Sequence, residues 1–162
     1  MDDQERGSTV PYRHTQVGYV TLIGLAAGFL TQLGRALRDV RRHRRRAWIS
    51  VPRAVGFAAA LALFGSMTVT VDDHEVTASF TGGLLPRRIP LHEVASAKVV
   101  SVPWYRGWGI RRAAGGWMYN VAGRRAVELA LPEDRTFTIG TDQPDELLAA
   151  IEQARARSAA AA

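Results

Sequence analysis

Between His14 and Arg35 the chain runs for twenty residues without a charge, TQVGYVTLIGLAAGFLTQLG, and seven arginines follow within the next dozen positions. As a helix the uncharged run would extend about 30 Å, close to the hydrocarbon thickness of a bilayer. Its centre, residues 17–30, is strongly apolar, and Thr15, Gln16, Thr31 and Gln32 sit near the ends, where polar side chains can meet headgroups. The run lacks the basic start and cleavage site of a secretory signal peptide. Tyr12, Tyr19 and Trp48 suit interfacial positions, and Gly24 and Gly28 form a GxxxG pair, a weak sign of close helix packing.

A second apolar stretch, AVGFAAALALFGSM, covers residues 54–67. Alone it is too short to span, and extended back to Ala47 it reaches spanning length only by taking in Pro52 and Arg53. An arginine near a helix end can reach the interface along its own aliphatic stem. Two readings follow: a membrane hairpin, or a buried hairpin of a soluble protein. The first is preferred, because little else in the chain is available to cover two such helices.

Charge separates the chain into two parts. Of the formal net charge of +6, all lies in residues 1–66, where ten arginines face Asp2, Asp3, Glu5 and Asp39; the remainder is neutral. Arg35, Arg38, Arg41, Arg42, Arg44, Arg45 and Arg46 carry most of the excess. Such a run fits either a nucleic-acid patch or the cytoplasmic flank of a membrane helix. Its neighbours are apolar, and Trp48 is the one aromatic nearby, so a nucleic-acid partner is not expected and membrane lipid is. Cysteine is absent, which removes disulfides, thiolate metal sites and cysteine nucleophiles.

From Met67 the hydrophobic period changes to two. Met67, Val69 and Val71 alternate with threonines, Asp72 to Glu75 make a polar turn, and Val76, Ala78 and Phe80 resume the alternation before Gly82-Gly83. Further strands are expected over residues 87–90, 97–102, 116–121, 126–131 and 136–139, with one helical turn at Leu91 to Val94. Asp142-Gln143-Pro144-Asp145-Glu146 is a helix start, with a capping side chain, an early proline and acids in the first turn. Leu147, Leu148, Ile151 and Ala154 give the helix that follows one apolar face. The expected fold is α+β: a helical hairpin, then an antiparallel β half-barrel closed by a C-terminal helix. The divisions are a disordered N-terminus at residues 1–13, a membrane-anchor hairpin at 14–66 with an arginine-rich connection at 35–46, a β-domain at 67–158 with its closing helix at 143–157, and a frayed tail at 159–162.

Four phrases carry a resemblance: HTQVGY at residues 14–19, PWYRGWGIR at 103–111, GWMYNV at 116–121 and FTIGTD at 137–142. Together with the order of elements they resemble a family of small bacterial membrane proteins with a C-terminal pleckstrin-homology-like domain, over residues 12 to about 151. The resemblance implies two membrane helices followed by that domain in a bacterial cell membrane, and it carries no activity with it. The arginine-rich insert at 35–46 and the weak second helix depart from the family pattern.

The richest local composition lies in residues 104–117. Trp104, Tyr105, Arg106, Trp108, Arg111, Arg112 and Trp117 are the candidate contacts for an anionic headgroup or a protein partner. The competing reading has the tryptophans packing over the sheet while the arginines stay in water. Catalytic and metal-binding signals are weak. His92-Glu93 lacks the second histidine of HExxH, since position 96 is serine, and Ser79, Ser96 and Ser101 lack a GxSxG setting. His74 belongs to a polar turn, and nothing pairs Glu93 with Glu128 as acid and base. The expectation is a membrane-anchored, non-catalytic binding module without cofactor or metal. The alternative is a structural accessory subunit of a larger membrane complex.

Overall fold

The computed structural model describes residues 12–42, 44–103, 109–113, 115–121 and 123–160. The chain enters through strand β1 (Tyr12–Val17) and passes into helix α1 (Tyr19–Arg42). Helix α2 (Arg44–Phe64) brings it back, and β2 (Ser66–Val71) follows. β1 and β2 pair antiparallel along their whole length, from Tyr12 opposite Val71 to Val17 opposite Ser66. The helical hairpin is therefore an insertion between two adjacent strands. Both its feet are joined where the strands end, by a hydrogen bond from Gly18 N to the Gly65 carbonyl oxygen at 3.1 Å.

Sequence spacing explains the hairpin's seam. On α1 the half-buried Leu22, Leu25, Phe29 and Leu33 and the buried Ala36 recur at intervals of three and four; on α2 Ser50, Ala54, Phe57 and Leu61 do the same. Small residues let the helices approach: a methyl group added at Gly28 would collide with the Phe57 ring. Gly24, the other member of the GxxxG pair, faces open space. The outer surface is apolar and uncovered. Tyr19 and Ile23 on α1 and Trp48 on α2 are 71, 70 and 83 % exposed.

The β-domain continues with β3 (Glu75–Phe80), β4 (Leu84–Pro90), β5 (Ser96–Ser101), β6 (Gly109–Ala113), β7 (Gly116–Asn120), β8 (Arg125–Ala130) and β9 (Thr136–Gly140), and ends in α3 (Pro144–Ala160). One sheet has the order β1-β2-β3-β4 and the other β5-β8-β9-β7-β6. Their inner faces meet in one core, where Met67, Val69, Val76 and Phe80 oppose Val127, Leu129, Phe137 and Ile139. Leu147, Ile151 and Ala154 of α3 close one end of that core, on the helix face that the spacing predicts.

The structure corrects several sequence-based expectations. Residues 12 and 13 belong to an ordered strand, and the helix begins at Tyr19, not His14. The β-domain thus includes β1 as well as the chain from Ser66 onward. Arginines 35–42 and 44–46 extend the two helices and do not form an irregular connection. The closing helix runs through Ser158 to Ala160, where a frayed tail was expected. The second sheet is mixed and not antiparallel throughout, because β7 runs parallel to β9. Gly116 makes that pairing possible: a side chain there would overlap the carbonyl of Thr136.

Candidate binding cleft

The edge strands β4 and β6 of the two sheets border an opening. A β-bulge between Ala78 and Phe80, opposite the start of β4, together with the left-handed backbone of Leu85 (φ 50°), bends that edge. The opening holds a cleft of about 450 Å³ lined by Arg87, Arg112, Trp117, Arg135 and Phe137, together with Gly115 and Gly116. A smaller recess of about 180 Å³ shares Arg87, Trp117 and Phe137 with it and adds Ile110 and Tyr119.

Strand alternation decides which side chains reach the cleft. Arg112 stands opposite Trp117 and Ile110 opposite Tyr119, all on the inner face of the second sheet. Arg111 stands opposite Met118, which packs on the outer face with Val102 and Ala126. On β4, Arg87 shares the side of buried Ile89, whereas Arg88 faces outward and lies 3.7 Å from Glu75. Arg135, two residues before buried Phe137, completes the rim.

The cleft gathers positive charge. Among the described residues Arg88, Lys98, Arg125 and Arg157 each meet a carboxylate outside the cleft. Arg135 lies 3.8 Å from exposed Glu133 and donates to the Pro132 carbonyl at 3.2 Å. Among the described residues neither Arg87 nor Arg112 meets an acid. Arg112 rests over the Trp117 ring instead, 5.7 Å from its centroid, a cation–π arrangement that holds the guanidinium at the rim. A cleft with an aromatic floor and three guanidinium groups suits an anion carried on an apolar body.

Of the residues singled out from the sequence, Arg112 and Trp117 line the cleft and Arg111 points to the other face of the sheet. Trp104, Tyr105, Arg106 and Trp108 lie outside the described residues. Arg87, Arg135 and Phe137 were not anticipated; the parities of Arg87 with Ile89 and of Arg135 with Phe137 are sequence signals that point inward. Glu128 is engaged by Lys98 at 3.0 Å, and His74 and Glu75 donate their backbone N–H groups to Asp72 Oδ1 at 2.8 Å, as a polar turn requires. Among the described residues no three His, Asp or Glu side chains gather closely enough to hold a metal ion.

The phrase at residues 14–19 has a structural role. Gln16, 2 % exposed, donates through Nε2 to the Gly140 carbonyl and accepts from the Asp142 N–H at 3.1 Å, tying β1 to the junction of β9 and α3. His14 Nε2 lies 2.7 Å from Asp142 Oδ1 beside it. Thr21 Oγ1 donates to the Val121 carbonyl at 2.8 Å and fixes the first turn of α1 to the second sheet. On the edge away from β4, burial, reinforced by the charges of Glu146 and Asp142, pushes the Tyr12 phenol up to about 12 and keeps it neutral.

Comparison with protein-family models, with curated proteins and with solved structures finds no match to this chain.

Proposed function

We propose that this chain is a membrane-anchored, non-catalytic binding module of pleckstrin-homology-like type, displayed at the surface of a bacterial cell membrane. The observation that carries the reading is the pinned hairpin with an apolar exterior. Residues 19–41 are long and apolar enough to cross a membrane, and only 6 % of their most apolar window is covered by the rest of the chain. A core hairpin of a soluble protein would bury that surface. Two open sheets with a helix plugging one end support the pleckstrin-homology-like reading of the β-domain.

The dimensions favour lipid as the covering partner. With Gly28 against Phe57, antiparallel register sets Trp48 near the depth of Leu37. Tyr19 and Trp48 then stand roughly 27 Å apart along the axis, the spacing of aromatic belts at the two interfaces. Arg35, Arg38 and Arg41 gather toward the Trp48 end, and Arg53 lies about a turn inside it, within reach of the interface along its stem.

Because the feet are joined, α1 and α2 cross together or not at all. In this reading the β-domain and the N-terminus share one side and the arginine-rich tip takes the other, which the positive-inside rule makes the cytoplasm. The β-domain then faces outward. Membranes from cells expressing the full chain, washed with alkaline carbonate, should keep it in the pellet, and floated liposomes should carry it upward. Release into the carbonate supernatant would contradict the anchor.

A further inference from the structure

We propose that the cleft between β4 and β6 binds a phosphate ester, with Arg87 and Arg112 holding the phosphate and the exposed Trp117 ring taking the apolar part of the ligand. The inference deepens the binding-module reading by naming the ligand chemistry, and it does not require the anchor.

Three observations converge. The cleft's volume of about 450 Å³ falls in the range of small-molecule sites. Arg87 and Arg112 are the cleft cations that meet no carboxylate among the described residues, so an incoming anion displaces no internal partner from them. Trp117 is 46 % exposed although it stands on the core-facing side of β7, so its ring offers an open apolar surface directly beneath Arg112. One guanidinium fork already engages both oxygens of a carboxylate, whereas a phosphate presents further acceptors to the second guanidinium group.

Position narrows the source. The recess that continues the cleft reaches Ile110 and Tyr119. Tyr119 packs 5.0 Å from Phe80, and Phe80 packs 5.0 Å from Phe64, the last residue of α2. The apolar end of the site therefore approaches the foot of the hairpin, and Leu84 and Leu85 are exposed at the same end of β4. A phospholipid headgroup entering from the bilayer and a free phosphate ester present the same chemistry here, and the experiment separates them.

The full chain is titrated with phenyl phosphate in maltoside micelles, which carry no phosphate, following the Trp117 indole resonance assigned by comparison with W117F, and is then placed in nanodiscs. A saturable shift is expected. R87A and R112A should each weaken binding by about tenfold, as loss of a charge-assisted hydrogen bond implies, while R124A, an exposed cation outside the cleft, should not. Circular dichroism verifies that each variant is folded. In discs containing phosphatidylglycerol, a Trp117 resonance already shifted and a weakened phenyl phosphate affinity would assign the site to a lipid headgroup. An unchanged titration would assign it to a free phosphate ester. Absence of saturation, or an equal loss in R124A, would overturn the proposal. Co-elution of protein with the discs is read separately, so failure of the cleft is distinguishable from failure of the anchor.

Discussion

Phe80→Ala should lower the stability of the β-domain by about 3–5 kcal/mol, the cost of emptying a large aromatic site in a packed core. Phe80 is fully buried, meets Phe64 of α2 edge-on with ring centroids 5.0 Å apart, and lies 5.0 Å from Tyr119, which in turn packs against Phe137 at 5.1 Å. The ring joins three parts of the molecule: the foot of the hairpin, the first sheet and the floor of the cleft. Its loss removes burial and also the edge-on contacts that orient its neighbours. For a domain of this size such a loss corresponds to a fall of more than about 10 °C in melting temperature. Thermal melts of the full chain in nanodiscs check it. Phe80→Leu, which keeps most of the volume, should cost less than half as much. Equal melting temperatures for wild type and F80A would mean that this cluster does not hold the sheets together.

Gln16→Leu should cost about 2–4 kcal/mol, although it replaces a polar residue with an apolar one in a buried place. The side chain of Gln16 satisfies the Gly140 carbonyl and the Asp142 N–H together, and leucine satisfies neither. Each abandoned group then carries its desolvation penalty, because the site is closed to water. The effect is local as well as global. Hydrogen exchange at the Asp142 amide should accelerate strongly in the variant, since that amide loses its acceptor. Thr15→Ala serves as the contrast: Thr15 is exposed and its hydroxyl bonds to that of Thr68 at 2.8 Å, so its removal should change stability by less than about 0.5 kcal/mol. If Gln16→Leu proves as mild as Thr15→Ala, the tie between β1 and α3 is not a stabilising element.

The difference between these two neighbours shows where sequence patterning reaches its limit. The strands from Met67 to Phe80 and from Arg125 to Gly140 announce themselves, because alternation and turn residues act over short distances. The start of α3 at Pro144 is equally local, set by proline geometry and acids in the first turn. β1 was not legible. Its residues continue without a turn into the apolar helix, and the strand that justifies its conformation is β2, brought back by the whole length of the hairpin. β6 was missed for a related reason: Gly109 to Ala113 has one large apolar residue, Ile110, and becomes a strand by pairing with β7.

The cleft was half legible. The phrase around Trp117 drew attention through composition, but composition does not distinguish Arg111 from Arg112. Strand parity does, and parity required knowing that β6 exists. Arg87 joins the site from β4 and Arg135 from the turn before β9, both far from that phrase in sequence, so their convergence is a property of the two sheets meeting and of nothing written locally.

A chain without cysteine allows a direct test of whether the hairpin crosses a membrane. Ser96 is exposed on β5, and Arg41 is exposed near the tip end of α1. Ser96→Cys and Arg41→Cys, expressed singly in bacterial cells, are treated with a membrane-impermeant maleimide before and after permeabilisation. Labelling of S96C in intact cells, with R41C labelled only after permeabilisation, is the predicted result. Protection of S96C with labelling of R41C, or both positions labelled alike in intact cells, would contradict a hairpin that crosses the membrane with its arginine-rich tip in the cytoplasm.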